Sequence, residues 1–175
     1  STFLINMFQA ADPIGQGAAP GFLPKEKGGE LTARQMLDLG AERIENDETL
    51  DDSPLVKATM MNAIGDAYRQ LGIFEKAEPL LTSALAIREQ HLEPNDPDIA
   101  DSLHNLAWYF HERGNFPSAR PLYDRALAIR RTIEGDEGRR LAANTLHNLA
   151  WMQANEGWTE EAIVHFEEAL EIRAN

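Results

Sequence analysis

Leu103-His-Asn-Leu-Ala-Trp108 occurs twice in this chain, returning unchanged as Leu146-His-Asn-Leu-Ala-Trp151. Each hexamer is followed, past a glycine, by a second pattern of small and large residues. These are Ala119-x-x-x-Tyr123-x-x-Ala126-Leu127 and Ala162-x-x-x-Phe166-x-x-Ala169-Leu170. A looser third copy runs from Met61-Asn-Ala-Ile-Gly65 to Ala77-x-x-x-Leu81-x-x-Ala84-Leu85. The starts Met61, Leu103 and Leu146 recur at intervals of 42 and 43 residues. A period of that length is the signature of a repeat array, and stacked repeats build an extended concave surface.

Start and stop signals divide each repeat into two helices. Asp52-Ser53-Pro54 and Asn95-Asp96-Pro97 each place a capping residue before a proline, which suits a first helical turn. The spacing predicts helices from Pro54 to about Gln70, from Phe74 to near His91, and over about 98–113 and 117–132. Gly135 and Gly138 are expected to break the chain before helices over about 140–155 and 159–173. Pro79 and Pro121 fall near first turns, where a missing N–H costs little. Within each repeat, Gly65, Ala107 and Ala150 are small where the first helix approaches its partner. Ala77, Ala119 and Ala162 are small on the facing side, while Leu81, Tyr123 and Phe166 fill the space between pairs. Ala84, Ala126 and Ala169 admit the next first helix. No strand pattern competes. The expected fold is all-α, a right-handed superhelical solenoid of antiparallel helix pairs, with three full repeats over about 52–94, 95–137 and 138–175.

Residues 1–51 read as a degenerate first helix pair. Phe3, Leu4, Met7, Phe8 and Ala11 have the spacing of a short amphipathic helix. The Gly/Pro-rich stretch 12–30 reads as a long irregular loop. Thr32 is placed to cap a helix whose apolar stripe is Met36, Leu37, Ala41 and Ile44. Gly40 inside that helix implies a close helix crossing.

Composition narrows the functional classes. The 175 residues include no cysteine, which removes disulfides, thiolate metal sites and cysteine nucleophiles. Twenty-nine acidic against 16 basic residues give a formal net charge of −13. A field of that sign repels phosphate backbones, so nucleic acid is not an expected partner. It suits solubility and, second, basic ligands. No apolar run approaches the roughly 20 residues that span a bilayer, and no membrane contact is expected of this segment. The chain begins without Met and stops just past a helix, so it reads as a piece of something longer.

The repeat pattern resembles the tetratricopeptide repeat of the kinesin-light-chain type, carried by Phe74-Glu-Lys-Ala-Glu-Pro-Leu-Leu-Thr-Ser-Ala-Leu-Ala-Ile-Arg-Glu89 and continuing to Leu103-His-Asn-Leu-Ala107. The resemblance covers about 52–175. It implies that Asn105 and Asn148 face the groove and hold the backbone of an extended peptide. Two departures stand out. The aromatic late in the first helix, Tyr68 and Phe110, becomes Gln153 in the last repeat, and the groove asparagine is Ala63 in the first. The N-terminal part, Phe3-Leu-Ile-Asn-Met-Phe-Gln-Ala-Ala-Asp-Pro13 and Leu31-Thr-Ala-Arg-Gln-Met-Leu-Asp-Leu-Gly-Ala-Glu-Arg-Ile44, resembles the segment before the repeats in large bacterial serine/threonine protein kinases. That resemblance implies a regulatory or sensory region, extracytoplasmic if it follows a kinase's membrane helix and cytoplasmic otherwise. No kinase motif is present, so no phosphotransfer activity is expected of this segment.

The helix faces opposite the packing residues supply the candidate binding surface. The first repeat offers Thr59, Asn62, Asp66 and Arg69, and the second Asp101, His104, Asn105, Trp108, His111 and Glu112. The third offers Asn144, His147, Asn148, Trp151 and Asn155. The pairs His104/His147, Asn105/Asn148 and Trp108/Trp151 are expected to run as ladders across neighbouring helices. Amides can donate to and accept from a peptide backbone, and indole faces take apolar or cationic groups. Partial burial of both tryptophans against the next helix is the competing reading. His91 and His165 read as surface or helix-end residues and Trp158 as a packing residue. His104, His111 and His147 read as groove histidines. Glu112 and Asp101 could add oxygens, which leaves a metal-dependent enzyme as the least favoured alternative. No HExxH or comparable motif is present, and neither metal nor cofactor is expected. No spacing singles out a nucleophile, and no catalytic residue is assigned. The expected partner is a protein or peptide. Ile163, Phe166 and Leu170 lie on a last helix with no polar cap after it, which raises homodimerisation as an alternative.

Overall fold

A computed structural model describes residues 32–174, and within them the chain is entirely helical. In chain order the helices are α1 (Ala33–Asn46), α2 (Pro54–Gln70), α3 (Phe74–His91), α4 (Pro97–Glu112), α5 (Phe116–Arg130), α6 (Gly135–Glu156) and α7 (Thr159–Ala174), with a 3-10 turn at Glu48–Leu50 after α1. The amphipathic helix read at the start of the chain and the loop at 12–30 lie outside the described residues.

Local chemistry starts and stops these helices as the sequence suggests. The Thr32 hydroxyl accepts from the Gln35 N–H at 3.2 Å while the Gln35 side chain accepts from the Thr32 N–H at 2.9 Å, a closed capping box. Asp96 caps α4 by accepting from the Asp98 N–H. Ser53 makes no side-chain cap bond, so α2 depends on Pro54 at its first turn. Gly72, Gly114 and Gly157 turn the chain between partner helices at φ of 71°, 70° and 86°, the left-handed region that glycine enters freely.

The start of α6 departs from the expectation of a break through Gly138. The helix begins at Gly135, whose φ is 83°, and Gly138 lies inside its first turn. Asp136 and Glu137 place negative charge at that N-terminus, where unpaired N–H groups favour it. A Cβ on Gly138 would stand 2.0 Å from the Ile133 carbonyl oxygen, so only glycine lets the chain pass there.

Partner helices pack in antiparallel pairs, α2 on α3, α4 on α5 and α6 on α7, and each pair packs on the next. Gly65 lies under Leu81 and Leu80 of its partner helix, where a Cβ would meet the Leu81 side chain at 2.9 Å. Ala77, Ala119 and Ala162 are buried, as are Leu81 and Tyr123, while Phe166 is only half-buried. Successive first helices also touch directly, α2 on α4 and α4 on α6. That close approach makes them the inner row of a solenoid. Leu37, Gly40 and Ile44 bury the inner face of α1, and Tyr68 and Lys76 anchor it by bonds of 2.6 and 2.5 Å to Asp38. The Lys76 contact holds the Asp38 carboxyl below its ordinary range.

Candidate functional site: the inner face of the first helices

The residues expected on the inner face lie on α2, α4 and α6, and the structure joins several of them to each other. At the α2 end, Arg69 is buried in a carboxylate clamp, donating to Asp66 and to Glu112 of α4 at 2.8 Å each. Its guanidinium lies 4.2 Å from the centre of the Trp108 ring, a cation–π contact that covers one indole face. Asn62 is half-buried, and its Oδ1 is buried without a partner.

The like-with-like ladders are not the bonds that form. His104 pairs with Asn148 instead, at 3.3 Å from ring Nε2 to amide Nδ2, and with the Thr145 hydroxyl at 3.4 Å from Nδ1. One tautomer satisfies both contacts: Nε2 accepts from the amide, and Nδ1–H donates to Thr145. His104 is therefore buried between α4 and α6, where its ring underlies the groove and does not line it. Burial, reinforced by the Arg130 and Arg69 charges, pushes its pKa down to about 3. His111 repeats the arrangement two turns on, 3.4 Å from the Asn155 amide, and burial lowers its pKa as well. His147 is half-buried and packs edge-on against Phe166.

What remains open on the inner face is smaller and more specific. Asn105 is half-buried and has no hydrogen-bond partner for its amide among the described residues. Asn148 gives its Nδ2 to His104, which leaves Oδ1 for a ligand. Behind them, the Tyr123 hydroxyl and His111 Nδ1 are buried with no partner, their rings 6.3 Å apart. Trp151 stands 53% exposed, in contrast to the half-buried Trp108. Asp101 and Asn144 are used elsewhere, each accepting from an arginine of the helix paired with its own. Among the described residues, no three His, Asp or Glu side chains group as a metal site requires.

Sequence reasoning missed those arginines. Leu85-Ala-Ile-Arg88, Leu127-Ala-Ile-Arg130 and Leu170-Glu-Ile-Arg173 stand in one register, and that recurrence was the available signal. Arg88 donates to the Asp98 carbonyl at 2.8 Å, the Ser102 hydroxyl at 2.9 Å and the Thr59 hydroxyl at 3.2 Å. Arg130 does the same with the Leu141 carbonyl, Thr145 and Asp101, at 3.3, 2.7 and 2.7 Å. Each thus ties its own first helix to the next repeat's. His165, read as a surface residue, bonds at 2.7 Å to the buried Gln153 that replaces the late aromatic. Trp158 is exposed and carries the Arg120 guanidinium 4.0 Å over its ring.

The sequence matches the tetratricopeptide repeat family over residues 56–132 and 119–175, most of the chain. This chain is a tetratricopeptide repeat protein. Members of the family serve in general as protein–protein interaction modules. Nephrocystin-3 of Xenopus laevis is 35% identical over 69 residues, a stretch covering 39% of this chain and 5% of that protein. Among solved structures, BtubC (BKLC) from P. vanneervenii superposes with a TM-score of 0.70 at 23% identity, over 81% of this chain and 56% of that one. The putative kinesin light chain repeats of Podosopora anserina give 0.66 at 22% identity, covering 81% and 66%. At those identities the two structures establish the tetratricopeptide fold alone. The chain spans a small fraction of its curated relative and just over half of the BtubC chain. No helix among the described residues is long and apolar enough to cross a membrane.

Proposed function

We propose that this tetratricopeptide segment is a non-catalytic binding module whose inner face holds an extended peptide. One observation carries the reading: at the α4–α6 boundary the half-buried Asn105 amide has no hydrogen-bond partner among the described residues, and Asn148 makes no bond through its Oδ1. The Asn105 amide and Asn148 Oδ1 together offer donors and an acceptor of the kind a peptide backbone pairs with. The exposed face of Trp151 supplies the apolar or cation-binding element beside them. The first repeat is less suited, since Ala63 stands at the asparagine position and Arg69 is already clamped.

The test is a peptide selected from a random library against the 175-residue chain. Asn105→Ala is expected to weaken that peptide at least about tenfold, the loss of one well-formed bond to a desolvated partner. Unchanged affinity in Asn105→Ala would put the ligand elsewhere.

The finer placement, as a regulatory or sensory region of a bacterial serine/threonine kinase, is supported by the resemblance of segments 3–13 and 31–44. The coding sequence upstream of Ser1 tests it directly. A kinase domain there supports the placement, and its absence removes it.

A further inference from the structure

The boundary between α2 and α4 repeats the boundary between α4 and α6 in its polar contacts, with one exception. Arg88 donates to the Ser102 hydroxyl and the Asp98 carbonyl as Arg130 does to Thr145 and the Leu141 carbonyl. Arg69 meets Glu112 at the positions where His111 meets Asn155. These matches fix the register: a residue of α2 corresponds to the one 42 later on α4, and a residue of α4 to the one 43 later on α6. His104 then corresponds to Asn62, and Asn148 to Asn105. His104 holds the Asn148 amide at 3.3 Å. Asn62 holds nothing. It makes no side-chain hydrogen bond among the described residues, its Oδ1 is buried without a partner, and the Asn105 amide is unpaired as well.

The difference is one of reach. An imidazole carries its Nε2 on the far side of the ring, whereas an asparagine side chain ends where that ring begins. On α2 the side chain stops short of the neighbouring amide. The consequence falls on the two groove asparagines. Asn148 has one amide hydrogen committed to His104, so the repeat before it fixes the plane of its amide. Asn105 has no such tie and can turn both its carbonyl and its amino group toward a peptide unit. The unpaired Asn62 Oδ1 is destabilising in itself, and stability conceded at one position is common at functional sites.

We propose that Asn62 is a positioning residue. Standing where the next repeat carries a histidine, it leaves the Asn105 amide unclaimed by the array and available in full to a bound peptide backbone. The inference rests on the peptide-binding reading above and adds what keeps that asparagine open.

The test installs the missing reach. Asn62→His, Asn62→Gln, Asn105→Ala and the double variant Asn62→His/Asn105→Ala are made in the 175-residue chain. The peptide selected from the random library against the native chain is titrated by calorimetry at about pH 8, where an imidazole is neutral. Without any peptide, the new bond is read as a shift of the Asn105 side-chain amide signals in a heteronuclear NMR spectrum, assigned by their loss in Asn105→Ala. Asn62→His should move those signals and weaken the peptide about tenfold, as Asn105→Ala does. The double variant should bind no more weakly than Asn105→Ala alone. Asn62→Gln lengthens the side chain without a ring, so it should act in the same direction and keeps the test readable if the imidazole disturbs folding. Asn105 signals unmoved in both variants overturn the proposal, as does native affinity in a variant whose signals have moved. A double variant weaker than Asn105→Ala would reduce the effect to crowding and overturn it too. Unchanged affinity in Asn105→Ala is a separate failure, which removes the peptide-binding reading itself and this inference with it.

Discussion

His104 Nε2 and the Asn148 amide nitrogen meet 3.3 Å apart between the inner helices of two successive repeats. The contact requires a neutral ring, because only an unprotonated Nε2 can accept from the amide. The buried ring is accordingly held neutral, with its pKa near 3 against an ordinary 6.5. This one contact links the groove, through Asn148, to the stability of the repeat interface, through Thr145 and Arg130.

The pH dependence follows from that shift. A histidine whose folded pKa is depressed lets the unfolded chain bind the extra proton first. Its contribution is complete above about pH 6.5 and is lost progressively as the pH falls toward about 3. Urea unfolding at pH 7 and pH 4.5 should show a larger loss for the native chain than for His104→Gln. The comparison between the two proteins removes the share due to carboxylates. An equal loss in both would mean that His104 does not titrate on unfolding.

Arg130 and Arg173 occupy one register in different surroundings, which separates packing from residue type. Arg130→Ala removes a buried side chain that bridges Asp101 and Thr145, and should destabilise by about 2–4 kcal/mol. Arg173→Ala touches an exposed side chain bonded to Asn144, and should stay within about 0.5 kcal/mol. Chemical denaturation of the two variants checks the contrast.

The fold was legible because its determinants repeat. Gly65 against Leu81, and buried alanines at 77, 119 and 162, are local choices that recur at a fixed spacing, so no neighbour has to be known to read them. The start of α6 was not legible, since Gly138 reads as a breaker until the Ile133 carbonyl is placed beside it. The site was legible as a set of positions but not as a set of partners. Whether His104 faces a ligand or Asn148 depends on the offset between α4 and α6, and periodicity carries no information about that offset. Tyr123 was read as a packing residue for the same reason. That its buried hydroxyl lacks a partner, with its ring beside that of His111, depends on packing that periodicity does not report.

The two close-packed glycines should respond differently to a methyl group. In Gly65→Ala the new Cβ meets the end of a leucine side chain, which can shift, so a cost of about 1–3 kcal/mol is expected. In Gly138→Ala it meets the Ile133 backbone, which cannot move without displacing the α5–α6 turn. Gly138→Ala should therefore be the more destabilising of the two and should shift the turn. Thermal melts rank the variants, and amide exchange of residues 131–138 reports the turn.

Trp151 and Trp108 provide the sharpest separation of binding from stability. Trp108 stacks on Arg69, whose side chain is buried and held by two carboxylates, so Trp108→Ala disturbs a packed cluster and should lower stability. Trp151 is 53% exposed, and its removal should leave stability within about 0.5 kcal/mol. If the inner face binds peptides as proposed, Trp151→Ala should nevertheless weaken a library-selected ligand by about tenfold, in line with the loss of one aromatic anchor. Calorimetric titration with that ligand, beside a melt of each variant, measures both quantities. Full binding by Trp151→Ala would confine recognition to the Asn105–Asn148 floor and remove the indole from the ligand's path.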